Sequence, residues 1–292
     1  MKKGRLIKGI GGFYYVHIDD KIYECKARGI FRQQGITPLV GDYVEISITD
    51  AKQAKGVIEK VLDRKTELIR PTVANVDQVV IVFAITQPEP HTALLDRFLI
   101  LAESQNLNIV ICFNKVDLAP KEEYQDIIGI YGSLGYKLLL TSSKLNKGLE
   151  ELKDVLYNRT TVFAGPSGVG KSTLLNKVFP DLQLKTGKIS ERTARGKHTT
   201  RHVELIPIES HGWVVDTPGF SSLNMDFIQE EELYNYFPEF QDYLEECRFS
   251  SCKHLEEPQC GIKNALELGK IKKERYDSYI QIIDEIRKTR RF

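Results

Sequence analysis

The segment that decides the fold is Gly165-Pro166-Ser167-Gly168-Val169-Gly170-Lys171-Ser172-Thr173, which matches the pattern GxxxxGK[ST]. It follows the apolar run Thr161 to Ala164 and leads into a helical stretch, Thr173 to Val178. Glycines let backbone N–H groups turn towards phosphates, and a helix N-terminus favours negative charge. We expect Lys171 to reach the β- and γ-phosphates and Ser172 to ligate Mg²⁺. The alternative is a glycine-rich loop that only closes a strand–helix turn.

A second motif, Asn114-Lys115-Val116-Asp117, indicates the base. It stands at the carboxyl end of an apolar strand, where open α/β sheets place their ligands. Asp117 can accept hydrogen bonds from N1–H and the 2-amino group of guanine, whereas adenine would leave the carboxylate without a partner. Asn114 can complete the fixation and Lys115 can pack its stem over the base. Thr141-Ser142-Ser143 ends the next strand and could offer a backbone N–H to the base oxygen, so we include Ser142 in the predicted nucleotide site.

A third motif, Asp216-Thr217-Pro218-Gly219, follows the short apolar strand Trp213 to Val215. We expect Asp216 to hold the Mg²⁺ shell and the Gly219 N–H to contact the γ-phosphate. The order of the motifs is unusual, because the base motif precedes the phosphate loop. The three motifs together predict a circularly permuted P-loop GTPase domain that binds GTP or GDP.

The basic, glycine-containing segment 187–200 lies between the phosphate loop and the third motif. A plain loop is one interpretation. Its position favours a switch in which Thr199 or Thr200 closes on Mg²⁺, and we favour Thr200. With Lys171 and Gly219, Thr200 forms the predicted catalytic set.

The water-orienting glutamine that often follows such a glycine is replaced by Phe220. An apolar side chain cannot polarise water. His198, His202 or a partner would have to supply this function.

Composition and the pattern of apolar and polar residues divide the 292 residues into three parts of a multidomain α/β protein. The net charge is +1, and no apolar run approaches the roughly 18 residues that cross a bilayer, so we expect a cytoplasmic protein without a membrane partner. Residues 1–68 contain short strands typical of a small β-barrel. Residues 69–222 alternate β and α as in a doubly wound sheet. Residues 223–292 mix helix with a cysteine cluster and end in a charged helix, Lys263 to Arg287.

The cysteine cluster has the spacing C-x4-C-x-H-x5-C, formed by Cys247, Cys252, His254 and Cys260. Three thiolates and one imidazole suit a tetrahedral Zn²⁺ ion, and four protein ligands leave no open position. We therefore predict one structural Zn²⁺, with unrelated reduced thiols as the alternative.

The N-terminal strands carry basic residues among aromatic ones, a combination used by proteins that bind single-stranded or loop RNA. Aromatic residues in strands more often form a core, and for this segment both interpretations remain open. The residues concerned are Lys26, Arg28, Arg32, Phe31, Phe13, Tyr14, Tyr15 and Tyr23.

The whole chain resembles the RsgA family of bacterial GTPases, also called YjeQ or YloQ, which act in small ribosomal subunit biogenesis. The resemblance rests on the permuted motif order, the N-terminal barrel and the Cys247–Cys260 cluster. It implies an OB-like, RNA-binding barrel and a helical zinc-binding domain. It also implies contact with the small ribosomal subunit and its rRNA, late subunit maturation and slow hydrolysis that the subunit stimulates. We expect a monomer. Some members carry a histidine shortly after the third motif, and the stretch Leu223 to Phe227 has none.

Two other functions remain open. One is a GTP-gated RNA-binding factor in which hydrolysis is incidental. The other is a P-loop phosphotransferase, against which the base motif argues.

Overall fold

The computed structural model describes residues 1–69, 71–182, 184, 203–209, 211–216, 225 and 227–289. The first five strands close into a barrel in the order β1-β2-β3-β5-β4, with β4 pairing back to β1. A four-residue helix, α1 (Ile30–Gln33), lies between β3 and β4. The OB-like barrel expected from the sequence is thereby confirmed. The strands are β1 (Lys2–Ile10), β2 (Phe13–Ile18), β3 (Lys21–Ala27), β4 (Tyr43–Asp50) and β5 (Lys55–Val61).

Among the five strands of the barrel, β1 is the one that the sequence patterns did not reveal. Three consecutive residues of β1 are buried: Arg5, Leu6 and Ile7. In a strand with one solvent-exposed face, buried and exposed residues alternate instead. Leu6 points into the barrel core, while Ile7 belongs to the core of the α/β domain. Because β1 is covered on both faces, its pattern loses the period of two.

The central part is the expected doubly wound sheet, with strand order β10-β9-β8-β11-β13-β12. All neighbours are parallel except β12, which runs antiparallel to β13. A separate hairpin, β6–β7, precedes it. The elements are β6 (Glu67–Ile69), β7 (Thr72–Ala74), β8 (Gln78–Ala84), α2 (Thr92–Glu103), β9 (Asn108–Asn114), α3 (Lys121–Gly132), β10 (Lys137–Leu140), α4 (Leu149–Leu156), β11 (Thr160–Ala164), α5 (Lys171–Val178), β12 (Glu204–Pro207) and β13 (Trp213–Asp216).

Two hydrophobic clusters cover the two faces of this sheet. Every residue of β8 is buried, as expected for a parallel strand with helices on both sides. Alternate residues of β8 join opposite clusters: Val79 packs with α2 and α3, and Val80 packs with α4 and α5. The carboxyl ends of β8, β9 and β11 therefore meet at one edge, where the phosphate loop and the base motif both begin.

The C-terminal part consists of two 3-10 segments, Glu230–Tyr236 and Pro238–Glu246, followed by α6 (Gly261–Glu267) and α7 (Lys273–Thr289). The single helix predicted from Lys263 to Arg287 is wrong. Gly269 adopts φ +69°, its N–H bonds to the Leu266 carbonyl, and the Lys270 N–H bonds to the Ala265 carbonyl. This pair of bonds is a Schellman motif, which ends α6.

None of the described helices combines the length and apolar composition needed to cross a bilayer. The domain boundaries at residues 68/69 and 222/223 stay predictions.

Candidate nucleotide and metal sites

The loop between β11 and α5 has the tight course that its glycines allow. Gly165 has φ +126°, and a Cβ at this position would lie 2.0 Å from the Val82 carbonyl oxygen. Gly170 has φ +98°, and a Cβ there would lie 2.5 Å from the Asn114 side-chain nitrogen. Only glycine fits both positions, because the loop lies directly against β8 and the base motif. Pro166, Ser167, Gly168 and Val169 lie between them, and Lys171, Ser172 and Thr173 form the first turn of α5.

The Lys171 ammonium folds back over this loop. Its Nζ donates hydrogen bonds to the carbonyl oxygens of Gly165 at 2.8 Å and Pro166 at 2.7 Å. Neutral carbonyls compensate only part of the lost hydration, and burial lowers the pKa of Lys171 to about 8. An anionic ligand at this loop would reverse that shift.

The base motif is bonded directly to the phosphate loop. The Asn114 Nδ2 donates to the Val169 carbonyl at 2.8 Å, and the Thr141 hydroxyl donates to the Asn114 Oδ1 at 3.1 Å. The Lys115 Nζ donates to the Gly168 carbonyl at 2.7 Å. Two segments more than 50 residues apart thus form one rigid unit.

The carboxylate of Asp117 is oriented by the next strand. The Ser142 hydroxyl donates to Asp117 Oδ1 at 2.5 Å and accepts the Leu145 N–H at 3.1 Å. Val116, between the polar members of the motif, is buried and its N–H bonds to the Thr141 carbonyl. The structure therefore brings Asp117 and Ser142 together through the Ser142 hydroxyl, while the Ser142 N–H donates to the Lys147 carbonyl at 3.0 Å.

One contact was missed at the sequence level. The Lys115 Nζ also donates to the backbone carbonyl of Gln87, in the loop between β8 and α2. A main-chain carbonyl leaves no signature in the sequence, so no pattern could have identified it.

Several predicted residues fall outside the described part of the chain. These are Thr199, Thr200, Gly219, Phe220 and the two histidines His198 and His202. The backbone of Asp216 is described as the last residue of β13, paired with Glu204.

The predicted zinc ligands converge. The ligand atoms of Cys247, Cys252, His254 and Cys260 all lie within 4.8 Å of one another. His254 Nδ1 is 3.6 Å from the Cys247 sulfur and 3.5 Å from the Cys260 sulfur. A tetrahedral ion with its usual Zn–S and Zn–N bonds requires about 3.6 Å between such atoms. The donor set and its spacing therefore fit Zn²⁺.

Hydrogen bonds around the cluster hold its loop in place. The Gly261 N–H donates to the Cys247 sulfur at 3.3 Å. Two tyrosines of α7 bind the loop backbone: Tyr276 donates to the His254 carbonyl at 2.7 Å and Tyr279 to the Lys253 carbonyl at 2.8 Å. Burial lowers the pKa of His254, which favours the neutral imidazole, the form that coordinates metal.

The aromatic residues of the barrel divide into two groups. Tyr23 and Phe31 are buried in the barrel core, and Tyr14 and Tyr15 are partly buried against hydrophobic clusters. Phe13 is 37% exposed, and the Lys26 ammonium lies 5.3 Å from the centre of its ring. Both line a groove of about 390 Å³ together with Lys55. The core interpretation thus holds for the first group, and the second remains available for a ligand.

A doubly wound sheet with a permuted order of motifs, a phosphate loop bonded to a guanine-type base motif and a Cys₃His cluster define a circularly permuted GTPase, an enzyme that hydrolyses GTP. Sequence models of two families match the chain: the RsgA N-terminal domain over residues 3–58 and the RsgA GTPase over residues 61–226. The chain belongs to the RsgA family.

Relatives and solved structures agree with this assignment. The chain is 60% identical to the small ribosomal subunit biogenesis GTPase RsgA of Alkaliphilus metalliredigens, and the match covers the full length of both proteins. It is 50% identical to the RsgA of Clostridium botulinum strain 657, with 99% of both chains covered. The crystal structure of YjeQ from Thermotoga maritima has a TM-score of 0.85 at 38% identity, covering 98% of both chains. That of YloQ, a circularly permuted GTPase, has a TM-score of 0.81 at 43% identity, covering 99% of this chain and 96% of that one.

Proposed function

We propose that this protein is a GTP-hydrolysing switch that binds the small ribosomal subunit, acts late in its maturation and is stimulated by it. The observation that carries the proposal is the 60% identity over the entire chain to a protein named for small ribosomal subunit biogenesis. The geometry of the phosphate loop and the base motif supports the same conclusion. In a bacterium such a protein would act in the cytoplasm, as a monomer.

Guanine selectivity would come from Asp117. With Ser142 bonded to one carboxylate oxygen, the remaining lone pairs can accept N1–H and the 2-amino group of guanine. Adenine offers neither donor at these positions, so its binding would leave the Asp117 carboxylate desolvated and without a hydrogen-bond partner. Asn114, Lys115 and Val116 form the rest of the base site.

The phosphates would be held by residues 165–173. Lys171 would exchange its two carbonyl partners for the β- and γ-phosphates, and the backbone N–H groups at the start of α5 would donate to the same oxygens. Mg²⁺, held by Ser172, Thr200 and Asp216, would neutralise charge that develops on the phosphates. Gly219 would donate its N–H to the γ-phosphate.

The zinc ion would be structural. Its four ligands lie between the 3-10 segment Pro238–Glu246 and α6, and their loop is bonded to α7. A metal cross-link at this point would add to the stability of the hydrophobic core of the C-terminal part, because the free energy of metal binding contributes to folding.

The exposed pair Phe13 and Lys26 supports contact between the barrel and rRNA. An unpaired base can stack on Phe13, and Lys26 and Lys55 can neutralise phosphates. The rival function is a GTP-gated RNA-binding factor with incidental hydrolysis.

Single-turnover GTP hydrolysis with and without purified small subunits distinguishes the two functions. We expect slow hydrolysis alone and a large increase with subunits. The increase should fall steeply with added salt, because contacts to RNA phosphates release counterions. Stimulation should weaken in Phe13→Ala/Lys26→Ala, with Lys121→Ala on the distant helix α3 as the control. Hydrolysis that subunits do not accelerate at any salt concentration would favour the rival.

A further inference from the structure

The edge of the nucleotide-binding sheet is covered by the barrel. The edge strand β12 pairs on one side with β13 and on the other with β1, where Lys8 faces Glu204 in antiparallel register. An uncovered edge strand leaves its backbone groups unpaired, and here the barrel supplies a partner. The barrel thus extends the sheet that carries the nucleotide site.

Three residues form one row across this junction. Glu204 of β12 faces Lys8 of β1 on one side and Asp216 of β13 on the other. With roughly 4.8 Å between neighbouring strands, the backbone of Lys8 lies about 10 Å from that of Asp216. A displacement of the barrel therefore acts directly on the hairpin whose last residue is the proposed Mg²⁺ residue.

Side chains fix both strands of the hairpin to the barrel. On β12, Glu204 accepts a salt bridge from Lys8 at 2.8 Å. On β13, the centres of the Trp213 and His17 rings lie 5.3 Å apart in a T-shaped arrangement, and the Arg5 guanidinium lies 5.4 Å from the centre of the Trp213 ring. Arg5 is itself buried and donates to the Asn75 carbonyl at 3.0 Å.

Apolar packing continues across the same junction. Ile7 of β1 is buried in the same core cluster as Leu205 of β12 and Val215 of β13, and Tyr15 of β2 packs against it. A packed junction of this kind transmits small shifts as rigid-body movement, because it has little free volume to absorb them.

The hairpin also joins the two segments expected to sense the γ-phosphate. In the sequence, the predicted switch 187–200 comes just before β12, and the Asp-Thr-Pro-Gly motif begins at the last residue of β13. Coupling between two sites can be carried by a rigid element that packs against one of them and continues into the other. The hairpin pairs with the barrel through β12, and its last residue is the proposed Mg²⁺ residue Asp216.

We propose that Lys8 and Glu204 are positioning residues for Asp216: they fix the β12–β13 hairpin to the barrel, so that a load on the barrel changes Mg²⁺ binding at the nucleotide site. The proposal rests on the proposed function, since it assumes that Asp216 binds Mg²⁺ and that RNA binds the barrel. It adds a route by which subunit contact reaches the site of hydrolysis.

A charge-swap cycle in the full-length protein tests this route. The variants are Lys8→Glu, Glu204→Lys and the double variant Lys8→Glu/Glu204→Lys. The first measurement is the half-saturating Mg²⁺ concentration for GTP hydrolysis without subunits. The second is the affinity for a fluorescent GDP analogue without Mg²⁺, which reports the base and phosphate contacts alone.

We expect each single reversal to raise the half-saturating Mg²⁺ concentration about three- to tenfold, because repulsion replaces a partly exposed salt bridge. The double variant should return to within about twofold of the wild type. GDP affinity without Mg²⁺ should not change in any variant. Lys3→Glu is the matched control: Lys3 lies on the same strand but pairs with Glu45 of β4, a strand of the barrel itself, so the Mg²⁺ dependence of this variant should stay that of the wild type.

Two results would overturn the proposal. One is an unchanged Mg²⁺ dependence in both single variants, and the other is a double variant that does not recover. Should Lys8→Glu lower the melting temperature, Lys8→Met removes the attraction without adding repulsion and must still shift the Mg²⁺ dependence in the same direction. A wild-type protein that does not hydrolyse GTP would instead contradict the proposed function.

Discussion

Arg275 joins the C-terminal helix α7 to the GTPase helix α2 through a buried ion network. Its guanidinium donates to Asp96 Oδ1 at 2.6 Å and to Glu239 Oε1 at 2.6 Å. The Tyr131 hydroxyl donates to the same Asp96 oxygen at 2.8 Å. The side chains of Arg275 and Asp96 are 1% and 0% exposed. The perturbation to make is Arg275→Met, which keeps an unbranched apolar stem and removes the charge.

The expected cost follows from this burial. Removing one partner of a buried ion pair costs about 3–5 kcal/mol, because the other charge stays desolvated. The stacking of Arg275 on Phe237, at 4.5 Å, contributes to the same loss and is not simply additive. Arg97→Met is the matched control. Arg97 of α2 forms a salt bridge with Glu285 of α7 and so joins the same two helices, but the side chains of Arg97 and Glu285 are 22% and 37% exposed. We expect it to cost at most about 1 kcal/mol.

Urea unfolding with two probes measures both effects. The fluorescence of Trp213, the single tryptophan of the chain, reports on β13, and zinc release reports on the C-terminal part. Both transitions should move to lower urea in Arg275→Met, because the network joins the two parts. Adding Asp96→Asn removes one stranded carboxylate and should recover at least about 1 kcal/mol.

Equal destabilisation by Arg275→Met and Arg97→Met would refute this reasoning. So would a shift confined to zinc release, since it would show that the two parts unfold independently.

Three further predictions concern the sites. Burial lowers the pKa of Lys171 to about 8, and bound phosphate should raise this pKa again. Nucleotide binding at pH 8.5 should therefore take up about 0.7 proton, and nucleotide affinity should fall as the pH rises above 8. Calorimetry in two buffers of different ionisation enthalpy measures this uptake, and its persistence in Lys171→Arg would assign it to another group. Asp117→Asn should weaken GTP binding roughly 10²–10³-fold, about 3–4 kcal/mol, and improve binding of xanthosine triphosphate; an unchanged GTP titration would remove Asp117 from the site. Cys252→Ser should lower zinc below one equivalent by elemental analysis while nucleotide affinity stays close to that of the wild type, and a fully folded wild type without zinc would contradict a structural role.

The sequence by itself determined the class of protein, because the deciding motifs are local. A strand, a glycine-rich loop and a helix start lie next to one another in residues 161–178, and their chemistry depends on contiguous backbone. The order of the motifs shows the permutation directly. The spacing of Cys247 and its neighbours is likewise local, since all four ligands fall within 14 residues.

What the tertiary structure decided are the contacts between distant segments. Arg275 and Asp96 are 179 residues apart, and Lys8 and Glu204 are 196 apart. Hydrophobic periodicity records that a residue is buried but not which element covers it, and β1 lost even its periodicity because two domains cover it. A charged residue such as Arg275, within a helix of alternating charges, looks like a solvated one until its partners are placed around it. The fold class could therefore be predicted from the sequence, whereas the junctions that connect the barrel and the zinc-binding part to the nucleotide site could not.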